Sequence, residues 1–472
     1  MRMTDPSWSL FEERFAQLAE NEKVPGVALA VAREGELEYF LGYGHRDLAR
    51  GLPVTLDTVF GVASVTKSVT CLAIMQLVDR GKVDVTDPIV KWLPEFRAPN
   101  PEWSRQITVH HLMSHSSGLP GLPCLFGARA DSIVKDPNRA RLGFTDESFN
   151  VPRVQTYEDL LRVMAETDYA LLGQPGAQFN YSNEGFALLQ GVIERASGQD
   201  FLSYAQANIL DPIGMTHSTF LAADLGRFPE VTELYAPVLK DGGRKEVFHA
   251  PVWWDVAGIY TNGSLKSSAR DLLRYLDVYR TGGLAGGLRI VSEEGIGRMM
   301  TPHVQTPAGT FYGYGLMVSP TRHGFAVVHH GGSIKGVASH VAVAPERGLA
   351  VVTLANLNGF VSEKVGFMAL ETAAGLPPKA LSREFPDFPL DAAALAAYPG
   401  EYRSGEGDSA SVSVEDDHLI ITLDGMRYDV QPYGPDSFVW PEGEKPFIFL
   451  RGKNGDITAL FVGVRVLPRV AV

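Results

Sequence analysis

Cysteine is nearly absent: Cys71 and Cys124 are the only two in 472 residues, so at most one disulfide is available. Cys71 falls in an apolar stretch where a small buried thiol is expected, and neither cysteine asks for a metal or redox role. An excess of positive charge is missing as well. The formal net charge is −13 and the Lys and Arg residues are scattered, which leaves no basic stripe to neutralise a run of phosphates and argues against nucleic acid as a partner. There is no long hydrophobic run either. "MRMTDPSWSLFEERF" lacks the apolar core of a signal peptide and no later window approaches a membrane span, so a cytoplasmic protein without a membrane partner is expected. What remains is a folded chain of ordinary composition, long enough for two domains.

Asp5-Pro6 is a plausible start for a helix, with Trp8, Phe11, Phe15 and Leu18 at helical spacing behind it. "GVALAVAREGELEYFLGYG" reads as a hairpin turning at Glu34-Gly35, and "TKSVTCLAIMQLVDRGKV" as a nearly all-apolar helix ending at Gly81. Residues 119–154 carry several Pro and Gly and no sustained period, which reads as a long irregular excursion. "TYEDLLRVMAET", "EGFALLQGVIERASGQ" and "VSEKVGFMALETAAG" read as helices, "FAVVHHGG" and "GLAVVTLAN" as strands. That order describes an α+β arrangement of a sheet flanked by helices. Prolines cluster after residue 375, and from about 396 the period changes to two, with turns at Asp416-Asp417, Asp424-Gly425 and Asn454-Gly455. The expected organisation is therefore residues 1–375, a linker at 376–395, and a small antiparallel, partly closed barrel at 396–472.

The chemistry starts at "FGVASVTKSV". Ser64 and Lys67 stand at i and i+3, one helical turn apart on one face, so the amine can reach the hydroxyl. A helix N-terminus contributes only about 0.3–1 kcal/mol, too little to ionise a serine, so Ser64 needs a base. Lys67 can serve once neutral, a shift within the reach of burial in its apolar surroundings. The same S-x-x-K pattern recurs at Ser132 and Lys135, but between acidic residues in the irregular excursion, where a lysine stays solvated. "NYSNEGF" offers Tyr181 and Asn183, a phenol that can move a proton and an amide that can orient the lysine. A second Y-x-N at Tyr260 and Asn262 makes that signal weak alone. "VVHHGGSIKG" ends a strand in His330-Gly331-Gly332, where glycines let a substrate lie close and the Ser333 N–H can face an oxyanion.

Taken together with "GKVDVTDPIVKWLPEF", "ITVHHLMSHSSGLPG" and "ILDPIGMTHS", these blocks resemble, in order, the serine β-lactamase and penicillin-binding protein superfamily, in the branch of class C β-lactamases, D-aminopeptidases, D,D-carboxypeptidases and esterases. The resemblance spans residues 20 to 360. It implies a β-lactamase/transpeptidase-like fold and a two-step acyl-enzyme hydrolase without metal or other cofactor. Ser64 would be the nucleophile, Lys67 the base or proton relay, Tyr181 and Asn183 its partners, and His330 the residue standing where β-lactamases have the lysine of K-T-G. The N–H groups of Ser64 and Ser333, beside Gly331 and Gly332, would form the oxyanion hole. Whether Lys67 or Tyr181 removes the serine proton stays open.

A histidine at the K-T-G position weakens carboxylate recognition, since it is mostly neutral near pH 7. The resemblance then favours hydrolysis of an ester or amide in a small molecule or short peptide, a D-residue-containing peptide included. A β-lactamase is the alternative within the enzyme class, and a penicillin-binding or sensing protein with slow turnover the alternative outside it. His110, His111 and His115 lack the accompanying spacing of a metal site. Trp253 and Trp254 read as core aromatics or a substrate wall.

Overall fold

The computed structural model describes residues 6–239, 245–319, 324–378, 385–423, 425–441 and 445–470. Asp5, expected to cap the first helix, Asp424 of one expected turn and residues 379–384 of the expected linker lie outside them.

Helix α1 (Pro6–Glu22) leads into the hairpin β1 (Gly26–Arg33) and β2 (Glu36–Asp47), whose turn places Glu34 and Gly35 at positive φ. Two successive residues in that region make a tight turn matching the strand twist, hence a glycine at the second position. Next come α2 (Thr66–Asp79), α3 (Cys124–Val134), α4 (Tyr157–Glu166) and α5 (Asn183–Ser197). The chain returns as β3 (Val327–Ile334), β4 (Val337–Ala344) and β5 (Leu349–Ala355), followed by α6 (Ser362–Ala373). With short strands at either edge these build a nine-stranded antiparallel sheet in which β3, β4, β5, β1 and β2 are successive neighbours.

Helices cover both faces, which is why β1 is buried from Gly26 to Ala32 and reads as a continuous apolar run. Val27, Leu29 and Val31 face Phe11 and Phe15 of α1 together with α6, while Ala28 and Ala30 face the core built on α2. Residues 66–77 of α2 are all buried. Its interleaved hydroxyls are satisfied: Thr66 bonds to the Ala63 carbonyl (2.7 Å), Ser68 to Val65 (2.8 Å) and Thr70 to Thr261 (2.7 Å).

The excursion at 119–154 is not irregular throughout, because α3 occupies residues 124–134. Its buried face is made of Cys124, Gly127, Ala128, Ala130 and Ile133, and a Cβ on Gly127 would meet the Pro152 carbonyl at 2.2 Å. Close packing against backbone selects small residues, and small residues blur the apolar period.

The C-terminal strands β6 (Gly400–Arg403), β7 (Ser409–Glu415), β8 (His418–Leu423), β9 (Met426–Gly434), β10 (Ser437–Trp440), β11 (Lys445–Arg451), β12 (Ile457–Val462) and β13 (Arg465–Pro468) pair antiparallel in chain order. A bridge between Tyr402 and Arg469 brings the first strand to the last, so the sheet is a nearly closed barrel around Tyr402, Phe438, Phe447 and Leu460. Asp416 and Asp417, both at positive φ, form the β7–β8 turn. No helix among the described residues is long and apolar enough to cross a membrane.

Candidate active site

Ser64 sits in the 3₁₀ turn Ala63–Val65 that feeds α2. Ala63 holds φ +44°, a region where a Cβ costs roughly 1–2 kcal/mol, so the turn that presents Ser64 is strained and held by its surroundings. The clamp is the β3–β4 pair: Ser339 on β4 donates to the Val62 carbonyl (2.7 Å), and a Cβ on Gly332 of β3 would lie 2.3 Å from that carbonyl and 2.9 Å from the Ser64 nitrogen. Only glycine lets the strand approach the turn this closely.

Lys67, one turn on, is fully buried. Its Nζ lies 3.2 Å from Ser64 Oγ, 2.8 Å from Asn183 Oδ1 and 2.7 Å from the Asn262 carbonyl. Burial, assisted by the nearby Arg465 charge, pushes its pKa well below the ordinary lysine value. Tyr181 and Asn183 come from the segment entering α5, whose N-cap Ser182 accepts from the Gly185 N–H. The Tyr181 ring lies 4.8 Å from Lys67 Nζ. Burial raises its phenol to about 12, with a hydrogen bond to Ser64 pulling the other way, so the phenol stays protonated at neutral pH.

His330 is buried on β3. Its Nδ1 lies against the Gly331 carbonyl, which can only accept, so the proton sits on Nδ1 and Nε2 accepts from the Tyr312 hydroxyl (3.0 Å). Burial lowers its pKa to about 3, which keeps the imidazole neutral. Ser64, Tyr181, His330, Gly331, Gly332 and Ser333 line one cleft of about 440 Å³. A smaller cleft, about 190 Å³, opens on the other side of Ser64 against Asn183, Arg129 of α3 and the barrel.

The residues that the barrel brings to the site, Glu406 and Arg465, are not among those named from the sequence. Glu406, in the β6–β7 turn, accepts from Asn183 Nδ2 (3.0 Å) and pairs with Arg465 of β13, whose guanidinium stands 4.6 Å from the Tyr181 ring. Glu184, next to Asn183, is buried, and burial reinforced by Glu406 lifts its carboxyl to about 8.

A model of the family described as Beta-lactamase matches residues 11–374, more than three quarters of the chain. The chain belongs to the beta-lactamase family. Esterase EstB of Burkholderia gladioli is 33% identical over 280 residues, 56% of this chain and 68% of its own. Solved structures match almost end to end. An octameric penicillin-binding protein homologue from Pyrococcus abyssi has 27% identity, a TM-score of 0.69 and coverage of 97% and 98%. SurE with D-Leu has 26% identity, a TM-score of 0.65 and coverage of 99% of both chains. The beta-lactamase-family chain is a serine hydrolase.

Within this beta-lactamase-family fold the five side chains named from the sequence, Ser64, Lys67, Tyr181, Asn183 and His330, converge, with Gly331, Gly332 and Ser333 along the rim. The rival patterns separate. Ser132 closes the last turn of α3, donating to the Arg129 carbonyl (2.8 Å), and Lys135 is exposed. Asn262 of the second Y-x-N does take part, through its carbonyl on Lys67 rather than its side chain. His110 bonds to the Tyr314 hydroxyl (2.7 Å), the Thr108 N–H reaches His111 Nδ1, and His115 stacks on Tyr181 at 4.0 Å. Trp254 donates to Asp136 (3.0 Å) beside Lys335, and both it and Trp253 are half-buried and line a separate small cleft with Ala63 and Lys335 rather than either cleft at Ser64.

Proposed function

We propose that this serine hydrolase works through Ser64 as nucleophile and Lys67 as its base, on an ester or amide bond. The observation that carries the reading is the shell of Lys67 Nζ. Asn183 Oδ1 and the Asn262 carbonyl are acceptors, so they take the two N–H groups of a neutral amine and leave its lone pair for the Ser64 hydroxyl. Lys67 accepts the Ser64 proton as Oγ adds to the carbonyl. The N–H groups of Ser64 and Ser333 receive the oxyanion. Tyr181, protonated at working pH, gives its proton to the departing oxygen or nitrogen and is refilled from Lys67. Water then repeats the sequence on the acyl-enzyme, releasing the acid and restoring Ser64.

Neutral His330 offers no fixed cation to a substrate carboxylate, and the Arg465 guanidinium beside the cleft is paired with Glu406. That favours simple esters and amides, short peptides with D-residues among them, over β-lactams. SurE, solved with D-Leu over nearly the same length of chain, supports the D-residue class. Small-molecule or short-peptide substrates, no nucleic acid and a cytoplasmic setting complete the reading; cell fractionation checks the last.

The test is a kinetic panel of short acyl esters, D- and L-aminoacyl p-nitroanilides and nitrocefin on wild type and Ser64→Ala. Esters or D-aminoacyl anilides should turn over faster than nitrocefin, and Ser64→Ala should lose activity by about 10⁴-fold or more. Full activity in Ser64→Ala would overturn the assignment. Stoichiometric labelling of wild type without turnover would replace it with the slow penicillin-binding reading.

A further inference from the structure

On the opposite side of β3 from His330 lies a second group of polar side chains that the hydrolytic reading does not use. Strand alternation turns His329 away from Ser64 toward α6. There it meets His340 of β4, which sits opposite Gly331 in the ladder, and Glu363 in the first turn of α6. Ligand atoms of these three residues all lie within 4.8 Å of one another, and no other group of three or more His, Cys, Asp or Glu among the described residues is as close.

The geometry points to a divalent transition-metal site, zinc in particular, formed by His329, His340 and Glu363 where α6 meets the sheet. His340 Nε2 and His329 Nδ1 are 3.3 Å apart. Two imidazole nitrogens each about 2.0–2.1 Å from one tetrahedral ion stand about 3.3–3.4 Å apart, so the two histidines are already at ligating separation. Their rings are set by packing. Phe367 lies 4.9 Å from each, and Gly366 brings the backbone of α6 so near that a Cβ there would lie 2.3 Å from His340 Nδ1, which turns Nε2 toward His329. Glu363 is exposed, and a change of its side-chain rotamer would bring the carboxylate onto an ion. Two imidazoles and a carboxylate are a donor set that suits zinc, with a fourth position left for water. The carboxylate also lines the larger cleft, which gives the ion a path in. A bound ion would clip the start of α6 to the strand whose other face carries His330.

The test uses the tag-free full chain after chelator treatment, titrated with Zn²⁺ against a chromogenic chelator and with Co²⁺ by visible absorption. Expected are one zinc per chain, the intense d–d bands of tetrahedral Co²⁺, and a rise in Tm with zinc. Glu363→Gln, at an exposed position, should fold normally yet weaken zinc by about 100-fold and remove the Tm rise. Ser64→Ala should bind zinc like wild type, so the result is independent of the hydrolytic assignment. Absence of stoichiometric zinc, or equal affinity in Glu363→Gln, would overturn the site and leave a plain His329–His340 hydrogen bond.

Discussion

Two walls meet at Ser64, and they are specified in different ways. The wall from α2 is local: Ser64 and Lys67 are three residues apart, and one helical turn suffices to bring amine and hydroxyl to 3.2 Å. The wall from the barrel is remote, since Glu406 reaches Asn183 across 223 residues of chain and Arg465 reaches Tyr181 across 284. The first wall carries the proposed proton transfer. The second sets the electrostatics in which it occurs, because Arg465 pulls the Lys67 pKa down and Glu406 pulls it up.

The comparison is sharpest where the local wall is removed. Lys67→Ala should lower kcat/KM by about 10³-fold while leaving Ser64 open to slow phosphonate labelling, the loss expected of a general base rather than of the nucleophile. A loss below 10-fold would hand the role to another group.

The remote wall is tested by the sign of a pH shift. With neutral Lys67 as the proposed base, kcat/KM should rise as pH passes its pKa. Arg465→Met removes a neighbouring positive charge, raises that pKa and should move the acidic limb to higher pH. Glu406→Gln removes a negative charge, lowers the pKa and should move the limb to lower pH. Each should also lower kcat/KM at the optimum by about 10-fold, or about 1.4 kcal/mol, the scale of one lost charged contact. Shifts in the same direction, or none, would mean that the barrel does not tune the base.

The smallest effect belongs to the other copy of the local pattern. Ser132→Ala should leave kcat/KM unchanged and alter stability by no more than about 0.5 kcal/mol, because Lys135 is exposed and Ser132 bonds only to backbone groups, the Arg129 and Asp255 carbonyls and the Asp255 N–H. Spacing alone does not separate the two copies. Burial does.

Much of the fold was legible because it is written in short-range periods: the apolar run of α2, the Glu34-Gly35 turn, and the alternation that rolls into the barrel at Asp416-Asp417. Helix α3 was not, since its contact face is built from Gly127, Ala128 and Ala130, chosen for closeness to backbone rather than for hydrophobicity. With it went Arg129, which α3 carries to the smaller cleft. Asn262 was noticed for its side chain, yet its carbonyl is what reaches Lys67, and no residue type advertises a carbonyl. Glu406 lies in a Gly-rich turn that looks like any exposed hairpin until the barrel is set against Gly121, where a Cβ would meet its Cγ at 2.7 Å.

By itself the amino-acid sequence determined that a hydroxyl and an amine stand one turn apart in apolar surroundings, because backbone geometry joins residues three apart whatever the rest of the chain does. It also determined that the residue on the glycine-flanked strand is an imidazole rather than an ammonium. Only the tertiary structure decided which S-x-x-K copy is buried, that two acceptors surround the amine, and that an acid and a guanidinium from the barrel stand over the tyrosine. These depend on contacts between segments hundreds of residues apart, and a pKa responds to the charges and solvent within a few ångströms regardless of where in the chain they originate.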